Sequence, residues 1–86
     1  MDSKEVLRLF MIEFAENLKK IRATKFKSMD QVAQNSTFDS SNYNKFENGK
    51  GNPTIETMLK MSSAFGISPK ELFDFDFDIK KYKIEE

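Results

Sequence analysis

The feature that most constrains the fold is the stretch of residues 28–50, in which two helix-start patterns follow one another. Ser28 and Gln31 form a capping-box pattern, because the serine oxygen can accept from a backbone N–H while the glutamine reaches back to the cap. Asp39 supplies a second N-cap, whose carboxylate also favours the positive end of the helix dipole. Gly49 suits the left-handed conformation that ends many helices. The stretch predicts two short helices joined by a tight polar turn.

The second helix of this pair is predicted to have one buried and one polar face. Tyr43 and Phe46 are spaced to point inward. The polar face carries short or basic hydrogen-bonding side chains: Ser40, Ser41, Asn42, Asn44 and Lys45. Such side chains can pair with base edges in a DNA major groove or with phosphates. An ordinary solvated helix face is also polar, so these residues alone leave both interpretations open.

A long helix is predicted before this pair. Asp2 and Glu5 form a capping pattern, and the helix is expected to end near Lys25. Its apolar residues recur at three- and four-residue steps: Val6, Leu7, Phe10, Phe14, Leu18 and Ile21. The residues of this helix before Phe14 extend beyond what the core of a minimal helix pair requires.

Two further helices are predicted after residue 50. Thr54 caps the first of them and Gly66 closes it. Its expected inward stripe is Ile55, Met58, Met61, Ser62 and Phe65. Ser68 and Pro69 then begin a short last helix. The expected fold is therefore all-α with five helices.

Composition narrows the function classes. The 86 residues suit one domain, and no 18-residue apolar run or signal-peptide pattern occurs, so we expect a soluble, cytoplasmic protein. The chain has neither cysteine nor histidine, which removes thiolate chemistry, zinc-thiolate sites, and the commonest general base and metal ligand. We therefore expect no enzyme, no metal and no cofactor. A formal net charge of zero also argues against indiscriminate polyanion binding.

Charge is nevertheless segregated along the chain. Between residues 19 and 52 the cations outnumber the anions, and residues 71–78 contain acids without a base. This distribution suggests one basic face and one acidic end.

The C-terminal tail changes period. Phe73, Phe75, Phe77 and Ile79 alternate with acidic residues, as in a strand. A lone strand needs a partner, so we expect Phe75, Phe77 and Ile79 to pair with a second subunit in a homodimer. The alternative is an aromatic tail folded over its own helices or partly disordered.

Four segments occur along the chain: FAENLKKIR at 14–22, SMDQVA at 28–33, FENGK at 46–50 and NPTIET at 52–57. Their order and spacing fit one known family without insertions or deletions. Together they resemble the Cro/Xre-type helix-turn-helix family of phage and bacterial repressors. The resemblance implies a five-helix, lambda-repressor-like DNA-binding domain with the helix-turn-helix at its second and third helices, an extended first helix and a short extended C-terminal tail. Domain boundaries follow: 1–73 for the helix-turn-helix domain, with a 14–73 core and a 1–13 extension, and 74–86 for the tail.

The resemblance also assigns roles to residues. Positions that read bases in the family fall on Ser40, Ser41 and Lys45, with Asn42 and Asn44 close by. Positions that contact phosphates fall on Ser28, Asn48, Lys50 and Asn52. The implied function is sequence-specific double-stranded DNA binding by a homodimeric transcriptional repressor, with the third helix in the major groove of an inverted-repeat operator. The alternative is a protein-interaction module, such as an antitoxin-like partner that binds another protein through its tail or first helix.

Arg22 and Glu47 match a pair that forms a salt bridge in the family and ties the first helix to the recognition helix. A guanidinium beside a carboxylate can fix helix orientation; the alternative is two unrelated surface charges. The chain departs from the family at Met29, which replaces a glutamine, at Thr37, which replaces a turn glycine, and at Tyr43, which replaces a smaller aliphatic residue.

Overall fold

Three α-helices and two short 3₁₀ helices make up the described part of the protein. The computed structural model describes residues 1–25 and 40–85. In chain order the elements are α1 (Ser3–Lys25), α2 (Ser40–Glu47), α3 (Ile55–Phe65) and 3₁₀ helices at Pro69–Phe73 and Ile79–Lys81. The predicted second helix, expected to start at Ser28, and the predicted N-cap of the third helix at Asp39 lie outside the described residues. The predicted third and fourth helices are α2 and α3. The described fold is all-helical, and the predicted last helix is a 3₁₀ helix.

The long first helix forms as the sequence predicts. Asp2 caps it, because its Oδ1 accepts from the backbone N–H of Lys4 at 2.8 Å. At 1.5 Å per residue, α1 is about 35 Å long. One stripe of the helix is buried, including Phe14 and Leu18 at 1% and 0% exposure. The other elements pack against this stripe.

The core lies where α1, α2, α3 and the first 3₁₀ helix meet. Its buried members come from all four elements: Met11, Phe14, Leu18, Tyr43, Phe46, Met61, Phe65 and Leu72. Full burial of one such side chain is worth roughly 1.5–3 kcal/mol. The core therefore holds the buried face of α2 against α1.

Both predicted ends of α3 are confirmed. Thr54 Oγ1 accepts from the Thr57 N–H at 3.1 Å, and Gly66 follows the last turn as its C-cap. The predicted inward stripe is buried at Met61, Ser62 and Phe65. Ile55 is the exception, since 72% of it is exposed. The expectation that Ile55 faces inward is wrong, because α3 begins one turn outside the core.

Replacing Thr54 with alanine should lower the free energy of unfolding by about 1 kcal/mol, because one N–H of the first turn of α3 loses its acceptor. Thermal denaturation should then show a drop of about 4–8 °C in Tm. Thr54→Ser keeps the oxygen and is the matched control. An equal loss in both variants would show that the hydroxyl is not the stabilising group.

A buried amide joins α1 to the end of the first 3₁₀ helix. Asn17 is 8% exposed, and its Nδ2 donates to the carbonyl oxygens of Glu71 at 2.9 Å and Leu72 at 2.8 Å. Carbonyls at a helix end lack partners within the helix, so they need an outside donor. Asn17 supplies both hydrogen bonds from one side chain.

The predicted C-terminal strand is wrong. Residues 74–78 are irregular, and the described residues contain no strand beyond an isolated bridge between Asp2 and Glu85. Phe75 and Phe77 instead pack on Phe10 of α1, with ring centroids 5.2 and 5.1 Å apart. The two-residue rhythm arises because alternate side chains meet the same helix. The tail is thus folded over its own first helix.

Candidate nucleic-acid interface

Helix α2 separates its side chains into a buried and an exposed face. Tyr43 is fully buried, and Phe46 and Glu47 are 8% and 3% exposed. The opposite face exposes the polar side chains of Asn42, Asn44, Lys45 and Asn48. Ser40 and Ser41 form the first turn of the helix. The described residues that the sequence assigns to base reading thus lie on one helix, and its buried face is held by the core.

A bidentate ion pair fixes α2 to α1. Arg22 Nε donates to Glu47 Oε2 at 2.6 Å, and Arg22 Nη2 donates to Glu47 Oε1 at 3.0 Å. The two residues that the family resemblance pairs are therefore in contact. Fork-shaped pairing of this kind restricts orientation as well as distance. It defines how α2 is set against the long helix.

The ion pair is largely removed from water. The Glu47 side chain is 4% exposed and the Arg22 side chain 24% exposed. The hydrogen bond to Glu47 raises the pKa of Arg22, and the negative charge of the same carboxylate raises it further. Removing one partner from a buried pair leaves an uncompensated charge, which costs several kcal/mol. The interpretation as two unrelated surface charges does not fit this geometry.

The end of α2 is shaped by a glycine turn. Gly49 has φ +72°, its N–H donates to the Phe46 carbonyl at 3.0 Å, and the Lys50 N–H donates to the Lys45 carbonyl at 3.1 Å. These two bonds form a Schellman motif, which satisfies the last carbonyls of the helix. The motif turns the chain so that Lys50 follows directly beside the exposed face.

Two predicted interface residues interact with each other at this helix end. Asn48 Nδ2 donates to Asn44 Oδ1 at 3.3 Å, one turn earlier on the exposed face. The positions assigned to base reading and to phosphate contact are therefore adjacent here.

The loop after α2 leaves room for the stem of Lys45. Gly51 has φ +83°, and a Cβ placed on it would lie 3.0 Å from Lys45 Cε and 3.2 Å from Phe46 Cε1. A side chain at residue 51 would therefore require Lys45 and Phe46 to shift by a few tenths of an ångström, and it would also be strained because L residues rarely adopt this φ. Asn52, the next predicted phosphate contact, is exposed. Ser28, the remaining one, lies outside the described residues.

Two lysines of the candidate interface form no ion pair with a carboxylate of the described residues. Within residues 1–25 and 40–85, no carboxylate forms an ion pair with Lys45 or Lys50, and both side chains are exposed. The same described residues contain no cluster of acidic, histidine or cysteine side chains suited to a metal ion. They also contain no helix long and apolar enough to cross a membrane. The arrangement presents amide donors and acceptors together with ammonium groups.

The residues assigned to dimerisation lie in the tail. Phe75 and Phe77 are half-buried against α1, whereas Ile79 is 51% exposed. Sequence reasoning did not single out Asn17 as a structural residue. The available signal was a polar asparagine within the apolar stripe of α1, three residues after Phe14.

Comparison with known proteins identifies the family. A family model described as a helix-turn-helix domain matches residues 15–74. The chain belongs to this helix-turn-helix family. The match confirms the resemblance drawn from the four sequence segments, and covers nearly the same residues as the resemblance did.

The helix-turn-helix relatives include regulators of bacteria and their mobile elements. A prophage-derived, uncharacterised HTH-type transcriptional regulator, YonR of Bacillus subtilis, is 34% identical over 70 residues, which are 76% of this chain and 65% of YonR. The plasmid copy control protein CopR of Streptococcus agalactiae is 43% identical over 47 residues, which are 55% of this chain and 49% of CopR. The control protein C.MunI of a Mycoplasma species is 37% identical over 71 residues, which are 81% of this chain and 92% of C.MunI. The chain thus matches about two thirds of YonR and half of CopR.

A solved helix-turn-helix structure shares the fold. The restriction-modification controller protein C.AhdI of Aeromonas hydrophila superimposes with a TM-score of 0.73 at 30% identity. The similarity covers 77% of this chain and 96% of C.AhdI. The all-helical arrangement is therefore one that a controller protein also adopts.

Proposed function

We propose that this protein is a transcriptional regulator that binds double-stranded DNA sequence-specifically, with α2 in the major groove. The family assignment and the regulatory names of YonR, CopR and C.MunI support this function. An α-helix fits the major groove, where amide and ammonium groups can read base edges. The exposed side chains of α2 are of these types.

The observation that carries the proposal is the bidentate pair between Arg22 and Glu47. It fixes α2 through its buried side, with both hydrogen bonds at 3.0 Å or less, while the opposite side stays exposed. A helix that reads bases must be held in its orientation by contacts on its buried face, because the opposite face contacts DNA. The ion pair and the core beneath α2 supply that support.

The charge distribution favours specific over indiscriminate binding. The formal net charge is zero, so affinity for DNA must come from locally placed cations such as Lys45 and Lys50. Lys45 lies in the last turn of α2, and Lys50 follows the turn that ends the helix. We assign base contact to Lys45 and phosphate contact to Lys50.

The proposed regulator acts as a homodimer and a repressor. Two copies of α2 would enter successive major grooves about 34 Å apart, so the operator would be an inverted repeat. A dimer bound across a promoter excludes other proteins from it, which is a simple way for a DNA-binding protein to repress.

Selection from random DNA sequences tests the proposal directly. We expect enriched sequences to contain two inverted half-sites, and sedimentation of the complex to give two chains per duplex. Titration of salt should weaken binding, because phosphate contacts release counterions. A selected pool without enriched half-sites, or an affinity that does not change with salt concentration, would contradict sequence-specific DNA binding.

Two alanine variants should separate the roles of the lysines. Lys45→Ala should change the preferred bases and weaken the best site by about 1–3 kcal/mol, because a base contact is lost. Lys50→Ala should weaken all sequences alike and lower the salt slope by about 1. Binding to a panel of single-base operator variants measures both effects.

Lys81→Ala is the matched control for these variants. It removes the same charge from an exposed position in the tail, outside the proposed interface. The control should bind as the wild type does. If Lys81→Ala and Lys50→Ala weaken binding equally, net charge rather than position determines affinity.

The second candidate function is a protein-interaction module that binds a basic partner. It is favoured by the tail, because Asp74, Asp76 and Asp78 are all exposed while the phenylalanines between them are held on α1. The DNA selection also distinguishes the two candidates, since a protein-only module enriches no sequence.

A further inference from the structure

Asn48 lies directly after α2, at a point where the backbone is fixed from both sides. Its N–H donates to the Asn44 carbonyl at 3.1 Å and is shared with the Lys45 carbonyl at 3.2 Å. Gly49 follows with φ +72° and turns the chain away from the helix. The Asn48 side chain therefore starts from a well-defined position beside the exposed face of α2.

The Asn48 side chain bonds back along this exposed face. Its Nδ2 donates to Asn44 Oδ1 at 3.3 Å, one helical turn earlier. Both residues are exposed, so burial does not hold either amide in place. A side-chain pair one turn apart changes the folding equilibrium of a helix by only roughly twofold. The pair therefore contributes little to stability, and its effect on the exposed amide of Asn44 is the more informative property.

The hydrogen bond selects which way round the Asn44 amide stands. A side-chain amide carries an oxygen that accepts and an NH₂ group that donates, and a half-turn about its last bond exchanges the two. Asn48 presents a donor, so it holds Oδ1 of Asn44 toward the C-terminal end of α2. Oδ1 has two lone pairs, so it can accept a second hydrogen bond while it stays bonded to Asn48.

An Asn44 amide held in this way matches the major-groove edge of adenine. Adenine presents N7, which accepts, beside an N6 amino group, which donates. Asn44 Oδ1 can accept from N6 as well as from Asn48, while Asn44 Nδ2 donates to N7. Guanine has the O6 acceptor where adenine has N6, so it would face the Asn44 oxygen with a second acceptor. The orientation thus favours adenine over guanine.

We propose that Asn48 is a positioning residue for base recognition, whose amide holds Asn44 in the orientation that reads adenine and whose second Nδ2 hydrogen donates to a DNA phosphate. This inference rests on the proposed function and names a base that the interface reads. An asparagine Nδ2 has two hydrogens, and one of them goes to Asn44. Since phosphate contacts fix the register of a protein on the duplex, Asn48 links the base-reading amide to that register.

Operators that differ at single base pairs test the positioning role. The pair read by Asn44 is the one at which Asn44→Ala loses its base preference, and the wild type should prefer adenine there by about tenfold. Asn48→Ala should lower this preference by about three- to tenfold, because Asn44 must then be ordered during binding. It should also weaken all sequences alike, through the lost phosphate contact. An unchanged adenine preference in Asn48→Ala, or a wild-type preference for another base, would overturn the proposal.

Asn52→Ala is the matched control. Asn52 is exposed and is also predicted to contact a phosphate, so the same change removes an amide other than the one bonded to Asn44. It should weaken all operators by one factor and keep the wild-type preference for adenine. Combining Asn44→Ala with Asn48→Ala should leave the same base preference as Asn44→Ala alone, since Asn48 acts through Asn44. If Asn52→Ala lowers the adenine preference as much as Asn48→Ala does, the positioning role is rejected.

Nitrogen relaxation of the side-chain amides tests the hydrogen bond in the DNA-free protein. It reports the mobility of each Nδ2 group on the picosecond to nanosecond timescale. Asn44 Nδ2 should be more mobile in Asn48→Ala than in the wild type, whereas Asn42 Nδ2 should change little. Equal mobility of Asn44 in the two proteins would overturn the proposal. If the wild type enriches no DNA sequence, the proposed function fails, and the relaxation measurement still decides whether Asn48 holds Asn44.

Discussion

Replacing Arg22 with methionine should lower the free energy of unfolding by about 3 kcal/mol, because it leaves the Glu47 carboxylate buried without its cation. For a domain of this size the Tm should fall by roughly 12–24 °C. Denaturant titration followed by circular dichroism measures the change. DNA binding should be lost as well, since α2 loses its attachment to α1.

Glu47→Met provides an asymmetric control. It leaves Arg22, whose side chain is already 24% exposed and can turn its guanidinium toward water. This variant should lose clearly less stability than Arg22→Met. Combining Arg22→Met with Glu47→Met should recover most of the loss, because apolar side chains of similar length often replace a buried pair at little cost. Equal losses in the two single variants would contradict the burial of the carboxylate.

Asn17→Asp is expected to be the second severely destabilising change, at about 4 kcal/mol. The amide that donates to the Glu71 and Leu72 carbonyls at 2.9 and 2.8 Å becomes a carboxylate facing two acceptors. Two hydrogen bonds are lost, and a buried charge without a partner is created. The free energy of unfolding at pH 7 measures the loss.

The pH dependence of Asn17→Asp separates charge from lost hydrogen bonding. Burial against carbonyls raises the pKa of the introduced carboxyl above its ordinary value of about 3.9. Its charge therefore penalises the folded state little below that pH, and increasingly as pH rises toward the raised value. The stability gap to wild type should narrow on acidification from pH 7 to 4. Asn17→Ala should show a smaller gap that does not narrow; identical pH profiles would refute the charge effect.

Features set by local sequence were predictable. The caps at Asp2 and Thr54, the glycine ends at Gly49 and Gly66, and the buried stripe of α1 follow from patterns within a few residues. Each depends on backbone groups close in the chain. The same locality explains why the boundaries of α1 and α3 agree with expectation.

Features set by distant contacts were not predictable in the same way. The alternation around Phe75 and Phe77 indicates a strand only if the inward side is a sheet, and here that side is Phe10 of α1. Ile55 follows the helical period of α3 but lies before the core begins. Asn17 finds its acceptors more than fifty positions later in the chain. Periodicity reports which side chains share a face, and not what meets that face.

The candidate interface also contains features that local sequence predicts and features that it does not. Exposure of Asn42, Asn44 and Lys45 follows from the helical period, whereas the pairing of Arg22 with Glu47 came from the family resemblance. Nothing in the spacing of those two residues, 25 positions apart, predicts a fork-shaped contact.

The length of α1 has a consequence for how the protein opens. Its first half holds the tail through Phe10, its middle holds the 3₁₀ helix through Asn17, and its last turn holds α2 through Arg22. Detachment of the tail, the first 3₁₀ helix or α2 would each expose part of α1. The amides around Leu18 should consequently exchange with solvent only by global unfolding, so that the end that holds α2 and the end that holds the aromatic tail form a single cooperative unit.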